Sequence, residues 1–302
     1  MSDLSPAQRP VLGVIWMVVT GMLFVGVTAL VKYLGTEIPS PQAAFIRYAL
    51  GLVFVIPMIR PMLRAQLTRR QLGLFTLRGL AHSVGVALWF FAMARIPIAD
   101  VTAMNYLAPI YVTIGAALFL GERLALRRIV AVLVALLGAL IILRPGFREV
   151  GPGHLAMLFA AVVFGASYLL AKVLTDETSA IVVVGMMSFW VTIGLAPMAA
   201  VVWVTPDWHT IMVLFGVAVL ATAGHYTMTL AFRCAPLTVT QPVTFLQLVW
   251  AVAVGALFFG EAVDPWVVFG GLVIMASVSF ITWREAVLKR RGVTPAAPAT
   301  KV

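Results

Sequence analysis

Four ionisable side chains stand inside long apolar stretches of this chain: Arg47, Arg78, His82 and His225. Such a group is costly to keep among hydrocarbon, so each needs a partner, a water-filled cavity or a ligand. Arg78, His82 and Trp89 are separated by four and seven residues, which places them on one helical face. There His82 or Arg78 can hold an anionic group while Trp89 stacks on a ring. The competing reading for His82 and His225 is an interhelical hydrogen bond, and for Arg78 a side chain that snorkels to the nearby surface. Arg47 reads as a structural pair with a carboxylate or a helix end.

Two further stretches carry polar side chains in matched order. One holds Thr102, Asn105, Tyr106, Pro109, Tyr111 and Thr113, the other Thr240, Gln241, Thr244, Gln247 and Trp250. Polar groups of this kind either line a site or join helices. The expected substrate-binding set is His82, Trp89, Asn105, Tyr111, Thr244, Gln247 and Trp250, with Arg78, His225 and Tyr168 beside it. Pro109 and Pro242 each free a backbone carbonyl and mark a helix break or gate. Trp203, Trp208 and Trp283 fall at stretch ends and suit the membrane interface.

The acids complete the chemistry by their positions. All eleven Asp and Glu lie in termini, turns or stretch ends. A cation-drug or polyamine carrier that relies on a buried carboxylate is therefore disfavoured, whereas a zwitterion with an apolar or aromatic body fits His82 or Arg78 plus ring walls. No Ser/His/Asp, His-Glu-x-x-His or paired-carboxylate constellation argues for an enzyme, and no metal or other cofactor is expected. Transport is expected to be facilitated, or coupled at most through a histidine.

The elements that must position these residues are about ten apolar stretches of roughly 20 residues, each long enough to cross a bilayer as a helix. They are expected at 11–33, 42–59, 71–94, 100–120, 127–143, 153–172, 181–203, 210–232, 236–259 and 265–283. A composition of 62% hydrophobic and 11% charged residues, with mean hydropathy +1.06, excludes a soluble fold. Continuous rather than alternating hydrophobicity excludes a barrel. The expected class is an all-α membrane protein of ten transmembrane helices in an inner membrane. With the N-terminus cytoplasmic, fifteen of the 21 Lys and Arg fall inside, only Lys32, Arg95, Arg144 and Arg148 fall outside, and Arg47 and Arg78 lie within spans. Both termini are thus expected in the cytoplasm. The net charge of +10 then reflects contact with anionic headgroups rather than nucleic acid. Cys234, the single cysteine, reads as a packing residue.

The chain resembles itself at an offset of about 139 to 140 residues. Gly13, Met17, Phe24, Lys32 and Glu37 fall on Gly153, Met157, Phe164, Lys172 and Glu177, and Pro97, Gly121 and Glu122 on Pro236, Gly260 and Glu261. The two Gly-Glu pairs are expected to cap and contact helix ends, or to gate. An odd number of helices per half inverts the second half, which is the layout of alternating-access carriers. The stretches "AMARIPIADVTAMNYLAPIYVTIGAALFLGERL" and "APLTVTQPVTFLQLVWAVAVGALFFGEAV", with Arg47, resemble the EamA branch of the drug/metabolite transporter superfamily. That resemblance implies two inverted five-helix repeats around a central cavity, at 11–150 and 151–284, between a tail at 1–10 and a basic tail at 285–302. It also implies outward movement of small metabolites, aromatic or hydrophobic amino acids first. Uptake of S-adenosylmethionine or another nucleoside-type metabolite is the rival, and a receptor or assembly factor the alternative of another class. A monomer or weak homodimer is expected.

Single cysteines placed in 60–70 and in 144–152 are expected to label from the cytoplasmic and the outer side respectively; the reverse pattern would overturn this topology.

Overall fold

The computed structural model describes residues 10–119, 126–235 and 237–293, and its regular structure is helical apart from one isolated bridge between Pro145 and Arg148. Without water to bond to, a backbone inside a bilayer satisfies its N–H and C=O groups within helices. In chain order the elements are α1 (Pro10–Leu34), α2 (Ser40–Gly51), a 3₁₀ segment (Leu52–Val55), α3 (Ile56–Arg64), α4 (Arg69–Met93), α5 (Ile98–Asn105), α6 (Ala108–Phe119) and α7 (Leu126–Leu143). The second half follows as α8 (Pro152–Glu177), α9 (Ala180–Val201), α10 (Trp208–Cys234), α11 (Leu237–Val243), α12 (Leu246–Phe259) and α13 (Pro265–Val293).

Among the described residues, nine segments are long and apolar enough to cross a membrane. At the ninth expected position α11 and α12 stand in place of one long helix. Three spans are broken where proline removes a backbone donor. The second expected span is not the continuous helix anticipated over 42–59: it tightens to 3₁₀ at Leu52–Val55, just before Pro57, and carries Pro61 inside α3. The fourth breaks between Asn105 and Ala108, one residue before Pro109, and the ninth between Val243 and Leu246, just after Pro242. By the repeat these two breaks coincide to within a residue. The Gly121-Glu122 pair lies outside the described residues.

The helices pair across the halves: α1 packs on α10, α4 on α8, and α7 on α13. Under the repeat the α1–α10 contact becomes α8–α4, and α7–α13 becomes itself. Close approaches obey the same exchange. A Cβ on Gly13 would lie 2.5 Å from the Ala235 Cβ, and one on its counterpart Gly153 would lie 2.6 Å from Ile96 Cγ2. A Cβ on Gly85 would fall 2.8 Å from the Phe164 ring, and one on its counterpart Gly224 would fall 3.3 Å from the Phe24 ring.

The face opposite the chain ends is tied by ion pairs. Lys32 Nζ lies 2.6 Å from Glu261 Oε1 and donates to the Ile96 carbonyl at 2.8 Å, while the Ile98 amide donates to Glu261 Oε2 at 2.9 Å. Glu261 thus caps α5 from the other half, at the helix end where a carboxylate is favoured. The left-handed turn at Gly260 (φ 62°) aims it there. Arg144 pairs with Asp264, and Arg148 with Asp100, which His154 Nε2 also meets at 3.0 Å. On the other face Arg70 bonds Glu177 at 2.6 Å and holds its carboxyl below the usual range. That bond is fully formed above the ordinary carboxylate pKa of 4.5 and is lost as pH falls through the depressed folded value.

Glu261→Gln is expected to destabilise the detergent-solubilised protein by about 3 kcal/mol, because it strands the half-buried Lys32 ammonium. A second change, Lys32→Met, should recover part of that loss; additive losses in a thermal-unfolding cycle would show that the two groups are not coupled.

Candidate functional site

The arginine and histidine on α4 are both buried, at 5% and 7% exposure. Arg78 does not snorkel. Its Nη1 donates to the Val183 carbonyl at 2.9 Å and its Nη2 meets Met187 Sδ at 3.2 Å, which ties α4 to α9. Gly79 makes that approach possible, since a Cβ there would fall 2.2 Å from the Trp190 Cβ. His82 Nδ1 lies 3.1 Å from Ser167 Oγ on α8.

Around His82 the rings form a wall. Phe164 lies 5.0 Å from the imidazole, Tyr168 stacks on Phe164 at 6.1 Å and 16°, and Trp89 meets Phe164 edge-on at 6.3 Å. Offset and edge-on rings at these distances attract through their quadrupoles. Trp89 is half-buried, while Tyr168 is 43% exposed although it sits deep in α8. Its open side faces a cavity of about 310 Å³ between the halves, lined by Pro109, Thr113 and Ala116 of α6, Arg128 of α7, Lys172 of α8, and Val278 and Thr282 of α13.

The second histidine repeats the first. His225 packs edge-on against Phe24 at 5.1 Å, as His82 packs on Phe164. Phe24 and Phe164 are repeat partners, and His82 maps to Ala221, one helical turn from His225. His225 is exposed at mid-helix, and α2, which carries Arg47, packs on both α10 and α4.

Arg47 departs from its expected structural pairing with a carboxylate or helix end. Its guanidinium lies over the Tyr48 ring, 4.0 Å from the centroid, and among the described residues it has no ion pair or hydrogen bond.

The remaining residues lie at the helix breaks. Asn105 ends α5 half-buried, and the Tyr106 hydroxyl donates to the Thr244 carbonyl at 3.0 Å, joining the two breaks. The Thr244 hydroxyl sits 3.7 Å from Met275 Sδ. Tyr111 is held against α8 at Gly165, where a Cβ would fall 2.6 Å from its own Cβ. Gln247 packs its Cβ on Gly21. Trp250 belongs to a separate cluster with Val25, Ile98 and Ala251 rather than to the ring wall. Sequence reasoning missed Phe24, Tyr48, Phe164 and Ser167 as site neighbours. The register of Phe24 with Phe164 was the one available signal.

Helices that span a membrane, two repeats exchanged by a pseudo-two-fold, paired helix breaks and a cavity that takes one ring of the wall, Tyr168, into its lining define a multi-pass carrier of small molecules. The chain belongs to the EamA-like transporter family, whose model matches residues 11–144 and 151–283. It is 28% identical to a riboflavin transporter of Vibrio cholerae over 95% of this chain and 98% of that one. It is 26% identical to an S-adenosylmethionine uptake transporter of Rickettsia bellii, over 84% of this chain and 87% of the other. A solved crystal structure shares the fold, with TM-score 0.57 and 15% identity over 95% of this chain and 99% of that one. The protein is a membrane transporter of small metabolites, not an enzyme.

Gly165→Ala is expected to push α6 off α8 and cost about 1–3 kcal/mol through overpacking. A melting temperature unchanged from wild type would show that the α6–α8 contact has slack.

Proposed function

We propose that this transporter carries metabolites built on a flat aromatic ring system, neutral or anionic, through the cavity between its halves by alternating access. The observation that carries the reading is the wall of Tyr168, Phe164, His82 and Trp89, whose Tyr168 ring opens onto the cavity. A volume of about 310 Å³ is at the small end of ligand pockets and suits a compact ring body. Riboflavin and S-adenosylmethionine, the cargoes named for two relatives, each contain a fused nitrogen-ring system. Aromatic amino acids present a similar face. The sulfonium of S-adenosylmethionine is disfavoured by the positive field of Arg47 and Arg78, which no carboxylate offsets among the described residues at that depth. Flavins and aromatic amino acids are therefore the first substrates to test, and export the direction expected for the latter.

The site residues proposed are His82, Trp89, Tyr168 and His225, with the breaks at Asn105 and Thr244 as the points where each bundle moves. Proteoliposome counterflow against riboflavin, tryptophan, phenylalanine and S-adenosylmethionine tests the reading. Flux of at least one neutral or anionic ring compound is expected, and Tyr168→Ala should weaken its binding by about 1–3 kcal/mol at matched thermal stability. Flux confined to S-adenosylmethionine would overturn the proposal.

A further inference from the structure

We infer that Arg47 is the residue that docks an acidic group on the cargo, so that the transporter selects ring compounds bearing a carboxylate over neutral ones of the same shape. This rests on the ring-substrate reading above and adds the charge to it.

Four observations meet at this side chain. First, Arg47 lies within α2, in the second span, and is half-buried. Second, among the described residues its guanidinium makes no ion pair or hydrogen bond and lies over the face of Tyr48, 4.0 Å from the centroid. A guanidinium is always charged and carries five donors, so a ring face leaves its hydrogen bonds unmet. Third, the other intramembrane arginine is tied through Nη1 and Nη2 to the Val183 carbonyl and Met187, with only its Nε unmet, which makes Arg78 a strut between α4 and α9. Fourth, α2 packs on both α4 and α10, the helices that carry His82 and His225, and these two histidines pack on Phe164 and Phe24. The helix that carries this cation therefore packs on both helices that carry the histidines.

A half-buried guanidinium without an ion pair has donors free for a bidentate carboxylate, and such charge-assisted pairs are the strong ones. The planar fork fits a carboxylate, and Tyr48 holds the fork's plane from one side. Neither His82 nor His225 has to be protonated for this, so the selection does not require acid pH. Arg47 positions the acidic end while the rings receive the body. A cargo without the acid keeps the ring contacts and loses the ion pair.

The test separates binding from transport by using two ligands that share the indole and differ in the acid: indole-3-acetate and the neutral indole-3-ethanol. Thermal stabilisation of the purified wild-type protein is expected at least tenfold lower in concentration for indole-3-acetate than for indole-3-ethanol. Arg47→Gln should erase that preference, and Arg47→Lys should restore it in part, since the charge returns without the fork. If Arg47→Gln weakens both ligands equally, or changes neither, Arg47 is structural and the inference is overturned. Where Arg47→Gln does not fold, Arg47→Lys alone decides: an undiminished preference for the acid overturns the claim that the fork is read. Counterflow of tryptophan in the same preparations reports on the ring-substrate reading separately. Acid-selective binding without any ring-compound flux would leave Arg47 as an anion dock and remove the transport reading.

Discussion

A bilayer offers no water to a buried polar group, and most of this structure is organised by where its polar groups find partners instead. The backbone is satisfied within helices, so breaks are tolerated only where protein or cavity surrounds them. Tyr106 supplies one such partner when its hydroxyl bonds the Thr244 carbonyl at the opposite break. The same constraint sorts the charges. Lys32, Arg144 and Arg148 meet Glu261, Asp264 and Asp100 at one face, and Arg70 meets Glu177 at the other. What remains in the interior is a pair of arginines, one braced on a carbonyl and one resting on a ring.

The repeat turns that constraint into a mechanism. The α1–α10 and α4–α8 contacts are exchanged by the repeat, so under the proposed alternating access a motion that opens one would have a counterpart that opens the other. The glycine contacts make the exchange physical. Gly85 on Phe164 and Gly224 on Phe24 are close approaches that leave no room for a Cβ without movement of the ring, and each aromatic ring also carries a histidine. The two halves are not identical at the site, since the histidines sit one turn apart, and the ring wall has grown around His82. Substrate recognition requires such asymmetry even where the motion is symmetric.

The Lys32–Glu261 strap illustrates how one residue serves both stability and closure. Glu261 pairs with a lysine at the end of α1 and caps α5, so three segments from both halves converge on a single carboxylate. A helix N-terminus carries partial positive charge and so adds to the attraction of the ammonium. Separating those segments requires both interactions to be given up together.

Much of the fold was determined by the sequence alone. Stretch length and hydropathy dictated helices across a membrane, and the coincidences Gly13/Gly153, Phe24/Phe164 and Pro97/Pro236 disclosed the repeat before any contact was known. Pro109 and Pro242 located the breaks to within a few residues, because a missing N–H is a local property of the chain. The placement of Arg78 and His82 on one face was likewise local, fixed by helical periodicity. Their partners were not. Val183, Met187 and Ser167 lie 85 to 109 residues away, and periodicity carries no information about which face meets which. The departure at Arg47 has the same origin: an arginine near a membrane face pairs with an acid if one is within reach, and only the packed structure decided that its guanidinium rests on the Tyr48 ring instead. Trp250 separated from the ring wall for a related reason. Its depth was legible from its position in the span, but its neighbours Val25 and Ile98 are brought to it by tertiary packing between the halves.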